Sequence, residues 1–515
     1  MKRSLFLDDR RALNQISFRA AANDLIDEVS SDTQEEEKRL AAYPAIDRDL
    51  AKNRIGSLFL YPDPSTDMEY ANLQECFFYL RCCANKKDGE ITRMISDSKV
   101  VSVICGLFQR LAEQYRQAIR SGELMGTMDA LKNSFYHLIW LISSLIFYSE
   151  EYDRAFMDYL GTLVELFGEI RDNDLSEVIG LSLLNLTSSK FISFEMVLST
   201  SLLSTLLKYM SQMVEWLQEC QREGSEQAKL VVPYAYPYSF YIYGNIAFLM
   251  VESANCYFIV PEAQSSFIFY TSDALQIAMK ALTLIPHQNR TLMCRVLYFL
   301  SAALNGLIAS PSSQTFIRPL VTEQSFMIIK SLLTLRYSRT VSGVLRVFMY
   351  LLNLSAGLTL DVNTILLVSS EVTSFFSTGD AKIRTASFDC CLSLFQDHPY
   401  VLKHDQSIIL AMGTNLRTQS KTQILAFINL LTTTISSGFT LADDVLGAIL
   451  QGIVDVLHSL PKRKADKYCG ELLFNVSDTI PDGLALMERY GIISSLEAYE
   501  DYPDITSFLD KARSL

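Results

Sequence analysis

A chain of 515 residues is longer than one compact core usually supports, which leaves several domains or one quasi-linear repeat array. Hydrophobic residues make up 49%, against only 13 Pro and 21 Gly, a balance that favours long buried helices over many short strands. The net charge of −13, with no dense Lys/Arg stripe, argues against nucleic acid as principal ligand, because neutralising phosphates takes clustered cations, and suits basic partners instead.

Residues 1–50 read as a polar N-terminal arm with an acidic run at Glu35–Glu37. Its opening, MKRSLFLDDRR, has no apolar stretch long enough for a secretory signal. From about residue 70 onward an apolar helix, a short polar break and another apolar helix alternate. One such unit runs from Leu131 to Phe167 and the next from Leu175 to Met210. Others begin near Tyr238, Thr291, Val341, Ile383, Thr422 and Tyr468. Two uncharged stretches, Asn133–Ser149 and Leu230–Val251, invite a membrane reading. The first is short and the second holds Pro233, Pro237 and Gly244, so both are expected to be buried soluble helices without membrane insertion.

A phrase recurs in these units: a polar or small residue inside an apolar helix, as in IWLISSLIF, LSLLNLTSS, YIYGNIAFL, MYLLNLSAG, LAFINLLTT and ELLFNVSDT. The polar position falls at Ser144, Asn185, Asn245, Asn353, Asn429 and Asn475. Neighbours stand mostly one or two units apart, at the roughly 40–47 residues of armadillo or HEAT repeats, which stack because no unit buries its apolar face alone. Asparagine is a poor helix former and costly to bury unbonded, so its repetition asks for a cause. Its amide both donates and accepts, and a row of amides can grip the backbone of an extended guest peptide. The alternative is an internal ladder that ties neighbouring repeats together.

Chemistry-bearing motifs are not found. There is no P-loop, no GxGxxG after a strand, no HExxH and no EF-hand loop, so an enzyme and a cofactor are not expected. Ten cysteines form no CxxC pair, which fits a reducing compartment rather than disulfides or zinc. His137, three residues before Trp140, reads as a core or groove-edge side chain, and Glu150-Glu151 as a solvated helix end. Lys462-Arg463-Lys464 is expected in an exposed loop after Pro461.

The ordered phrases resemble the importin-α family of nuclear import adaptors. In that family an aromatic residue, usually Trp, precedes each groove Asn by four, which places both on one helix face. Here the pairs are Trp140 and Ser144, Leu181 and Asn185, Tyr241 and Asn245, Arg295 and Phe299, Met349 and Asn353, Phe388 and Leu392, Leu425 and Asn429. NLQECFFYLRCCANKKDGEITRMISDSKVVSVICGLF (72–108) resembles the family's first repeat, and ALMERYGIISSLEAYEDYPDITSFLDKA (485–512) its closing one. LDDRRALNQISFRAAANDL (7–25), with Arg10, Arg11 and Arg19, is similar to an importin-β-binding segment, and Lys38-Arg39 to a basic autoinhibitory cluster.

The resemblance implies an all-α, right-handed superhelical α-solenoid of about nine to ten armadillo repeats over residues 51–515. It implies a groove for basic nuclear localisation signal peptides, an importin-β-like receptor, room for an export receptor, and shuttling between cytoplasm and nucleus. Departures are plain. Of the Trp series only Trp140 remains, Ser188 and Ser189 stand where the family keeps an acidic residue, and the arm interleaves Asp8, Asp9, Asp24, Asp27 and Glu28 with its arginines. These favour, as the alternative, an armadillo scaffold for a different protein or peptide ligand.

Overall fold

The computed structural model describes residues 46–85, 89–121, 127–224, 236–255, 261–308, 318–356, 358, 360–499 and 501–514. All regular structure among them is helical. The arm residues Arg10, Arg11, Arg19, Lys38 and Arg39 lie outside the described residues, and the first described helix begins at Arg48. The chain divides into two units, Met1–Ala309 and Ser310–Leu515.

In the first unit the helices are α1 (Arg48–Leu58), α2 (Asp67–Asn85), α3 (Gly89–Ile95), α4 (Ser98–Ser121), α5 (Thr127–Tyr148), α6 (Glu150–Met157) and α7 (Leu160–Glu169). They continue with α8 (Asn173–Thr187), α9 (Phe194–Leu198), α10 (Leu202–Arg222), α11 (Tyr236–Asn255), α12 (Pro261–Leu284) and α13 (Arg290–Ile308). One layer stacks α2, α5, α8, α11 and α13 in succession, while α4, α7, α10 and α12 pack against its members from a second layer.

The second unit repeats the plan with α14 (Glu323–Leu333), α15 (Ser338–Leu354), α16 (Val362–Thr373), α17 (Ala381–Asp397), α18 (Pro399–His404) and α19 (Ser407–Thr414). After these come α20 (Lys421–Ser436), α21 (Asp443–Val456), α22 (Lys462–Thr479), α23 (Gly483–Arg489), α24 (Ile492–Leu496) and α25 (Pro503–Ser514). Here α15, α17, α20, α22 and α25 stack in one layer and α14, α16, α19, α21 and α24 in the other. Each unit is therefore an α-solenoid, every helix burying its apolar face on the next. All eight repeat units read from the sequence begin inside helices of the first-named layers.

The two layers differ in how they are buried. Helix α4 is one-sided: Val100, Ile104, Leu107, Phe108, Leu111 and Tyr115 recur at helical spacing and are buried, while Arg110 and Glu113 face out. Helix α13 is buried almost all round, from Leu292 to Leu304. It alone among the described residues is long and apolar enough to cross a membrane, but 83% of its apolar window is buried inside the protein, as in a core helix. Of the two uncharged stretches, Asn133–Ser149 lies largely within α5, and the described part of the other forms α11.

Local chemistry sets the helix starts. Asp172 caps α8 through the Leu175 amide, Asp361 caps α16 through that of Thr364, and Ser420 with Gln423 forms a reciprocal capping box on α20. At the C-terminal end, the Asp466 carboxylate of α22 accepts hydrogen bonds from the Asp504 and Ile505 amides at 2.9 and 3.1 Å, capping α25 from another helix. Lys462, Arg463 and Lys464 do not form the exposed loop that the sequence led us to expect. They are the first turn of α22, where Lys462 pairs with Asp501.

Candidate functional site

The recurring polar residues behave differently in the two units. In the first, Asn185 on α8 donates to the backbone oxygen and hydroxyl of Ser143 on α5, at 2.9 and 3.0 Å. Asn245 on α11 donates to Leu184 O (3.2 Å), Thr187 Oγ1 (3.1 Å) and Ser188 Oγ (2.8 Å) of α8 and the turn after it. Its carbonyl oxygen accepts from the Tyr298 hydroxyl of α13 at 2.7 Å. Burial holds the Tyr298 phenol protonated, so it remains a donor. Gly244 makes the approach feasible: a Cβ there would sit 2.6 Å from the Tyr298 ring.

Asn245 is 6% exposed with its amide fully engaged, so it is not open to a guest. This corrects the groove expectation for that residue. A fully bonded amide between layers costs far less than an unpaired one, and repeat-to-repeat bonding has claimed it. Asn185 keeps partial exposure, as do Ser144 and Leu181.

The aromatic positions are occupied too. The Arg81 guanidinium of α2 lies 3.6 Å from the centre of the Trp140 ring, and Tyr136 meets the same indole edge-to-face. Arg295 sits over Tyr238 and Tyr241 at 4.9 and 5.3 Å. Arg81, Arg295, Tyr241 and Phe299 are all buried, and Phe299 packs on Phe240 and Tyr243 as a core residue rather than a groove one. Beside Trp140, His137 packs against Phe78, and burial followed by the nearby Arg81 charge pushes its pKa down to about 4, so it is neutral at pH 7.

At the Ser188-Ser189 turn a carboxylate arrives from another helix. Asp153 of α6 accepts from Ser189 Oγ at 2.6 Å, and burial raises its pKa.

In the second unit, Asn353, Asn429 and Asn475 are half-buried, and their side-chain amides bond to nothing among the described residues. Met349, Phe388 and Leu392, proposed for the groove, are instead buried in the core, with Phe388 against Phe376 and Phe427. Leu425 is half-buried. The open amides do not form level rungs. Cys390 Sγ donates to Leu345 O and Gln423 Nε2 to Thr385 O, which offsets successive helices by 45 and 38 residues. Asn429 therefore stands beside Leu392, whereas Asn353 stands beside the end of α17, about two helical turns further on. There His398 is fully buried, its Nε2 3.0 Å from Leu352 O and 3.1 Å from Ser355 Oγ, and burial lowers its pKa.

Sequence reasoning missed Arg81, Ser143, Tyr298 and Asp153. Arg81 did carry a signal, being the one charge in the apolar run CFFYLRCCA, but its partner Trp140 is far along the chain. The remaining chemistry is sparse. The described cysteines are free and buried, with burial pushing the Cys105 thiol up to about 11. A pocket of about 220 Å³ lies between the starts of α14 and α16, but Thr322 and Asp361 in its wall already cap those helices. Among the described residues no three His, Cys, Asp or Glu side chains gather as metal ligands would.

No model of a known protein family matches the chain, and no curated protein matches its sequence. Among solved structures, a crystal structure described as an engineered protein by the Northeast Structural Genomics Consortium is similar over 90% of this chain and 98% of its own, with a TM-score of 0.56 at 13% identity. At that identity the likeness shows the fold alone.

Proposed function

We propose that this protein is a non-enzymatic adaptor that holds an extended segment of a partner protein, gripping its backbone through amides of the second unit. The observation that carries the reading is the set of half-buried side chains of Asn353, Asn429 and Asn475 on α15, α20 and α22, which bond to nothing among the described residues. A polar group kept part-buried without a partner costs free energy, and a guest's N–H and C=O groups would recover it. The net charge of −13 favours a basic segment. With the resemblance to importin-α, this supports cargo bearing a basic nuclear localisation signal, carried between cytoplasm and nucleus with an importin-β-type receptor.

A second reading, a scaffold for a different protein ligand, is favoured by Trp140, whose indole face already carries Arg81. Fluorescence anisotropy with a labelled lysine-rich peptide and a neutral extended peptide separates the two. The import reading expects the basic peptide to bind more tightly, and Asn353→Ala with Asn429→Ala to weaken it about tenfold, the equivalent of one to two hydrogen bonds. Equal binding of both peptides moves the conclusion to the scaffold. Binding of neither at tens of micromolar, or indifference to the double variant, removes the adaptor reading.

A further inference from the structure

We infer that Arg81 is a built-in occupant of the Trp140 face and sets the specificity of the first unit by closing that indole to the lysine or arginine of a guest. The inference rests on the adaptor reading only in taking guest cations as the groups excluded.

The geometry is that of a filled slot. At 3.6 Å the guanidinium is in van der Waals contact with the ring, and Arg81 is only 6% exposed. Phe78 flanks the same guanidinium at 5.6 Å, and Tyr136 closes on the indole from its own helix. The planar guanidinium stacks on an aromatic face better than a compact, strongly hydrated ammonium does. It is also tethered, so it holds the face without the loss of translational freedom that a guest must offset. A second cation cannot share the face without like-charge repulsion. His137, whose ring meets Tyr136 edge-to-face, is neutral above about pH 4.

The test needs no partner protein. The chain has two tryptophans, so Trp216→Phe leaves Trp140 as the sole tryptophan, read by excitation at the red edge where tyrosine does not absorb. In that background caesium ions are expected to quench Trp140 poorly, and Arg81→Ala to raise the quenching constant severalfold. N-acetyl-arginine amide should then bind the opened face about 2- to 30-fold more tightly than it binds the parent, the range of one cation–π contact. Arg81→Lys keeps a tethered cation that stacks less well and should fall between the parent and Arg81→Ala. Equal quenching with and without Arg81, at unchanged helical circular dichroism, overturns the inference.

A second measurement leaves Arg81 in place. Trp140→Phe should leave lysine-rich peptide affinity within about twofold, as for a residue without guest contact. A larger loss shows that the face is open to guests and also overturns the inference. Failure of the peptide to bind any variant counts against the adaptor reading alone, because the quenching result stands without it.

Discussion

The two units share one architecture and one recurring asparagine phrase, yet they use the phrase in opposite ways. In the first, Ser143, Asn185, Asn245 and Tyr298 join helix to helix, and the amides are consumed in holding the stack. In the second, Asn353 and Asn429 have no such partners among the described residues, and the helix offsets place them at different heights. The same residue type at the same sequence spacing is therefore mortar in one place and an open contact in the other. What decides is the residue facing it: Ser143, Thr187 and Ser188 capture the amides of the first unit, whereas Leu392 beside Asn429 offers nothing to bond.

The sharpest way to break this comparison is to remove the most engaged amide. Asn245→Leu strands the Tyr298 hydroxyl and frees three acceptors, so urea denaturation should register a loss of about 2–4 kcal/mol. Asn353→Leu should cost no more than about 0.5 kcal/mol, as for a substitution that breaks no bond. Equal losses would erase the distinction between the units.

Acid probes the first unit next. The folded pKa of His137 lies near 4, below the unfolded value of 6.5, so the unfolded chain takes up the proton first. Stability should decline as pH falls from 6.5 to 4 and level off below, by up to about 3 kcal/mol from this one group. His137→Phe should flatten that part of a Tm-against-pH curve. His398, also held neutral by burial, contributes in the same direction and is tested by the corresponding His398→Phe variant.

Gly244→Ala should follow, at about 1–3 kcal/mol, because the added methyl presses on the Tyr298 ring and spoils its reach to Asn245. The smallest stability change belongs to Asn353→Ala with Asn429→Ala. Thermal unfolding should move little, while the lysine-rich peptide loses about tenfold in affinity.

Much of the fold was legible in the sequence because a solenoid is local: each repeat announces itself in its own apolar phrase. The use of each asparagine was less legible. A guest backbone and the Ser143 carbonyl satisfy the same amide, and nothing in the spacing of Asn185 separates them. Periodicity fails similarly at Phe299, Phe388 and Leu392, where an aromatic or aliphatic side chain four residues along suits a groove and a core equally well. Trp140 stood out in the sequence, but the Arg81 contact did not, since Arg81 meets the ring only after α2 has stacked on α5.

The carboxylate of Asp466 has a consequence for how the C-terminal end behaves in time. Among the described helices of its layer, α25 packs on α22 alone, and a helix held by few contacts is where local opening concentrates. Because Asp466 bonds the Asp504 and Ile505 amides, α25 cannot peel away without leaving a carboxylate, itself 8% exposed, short of two donors. Opening at this end is thereby coupled to α22, and the last two helices of the layer should exchange their amide hydrogens as one cooperative block.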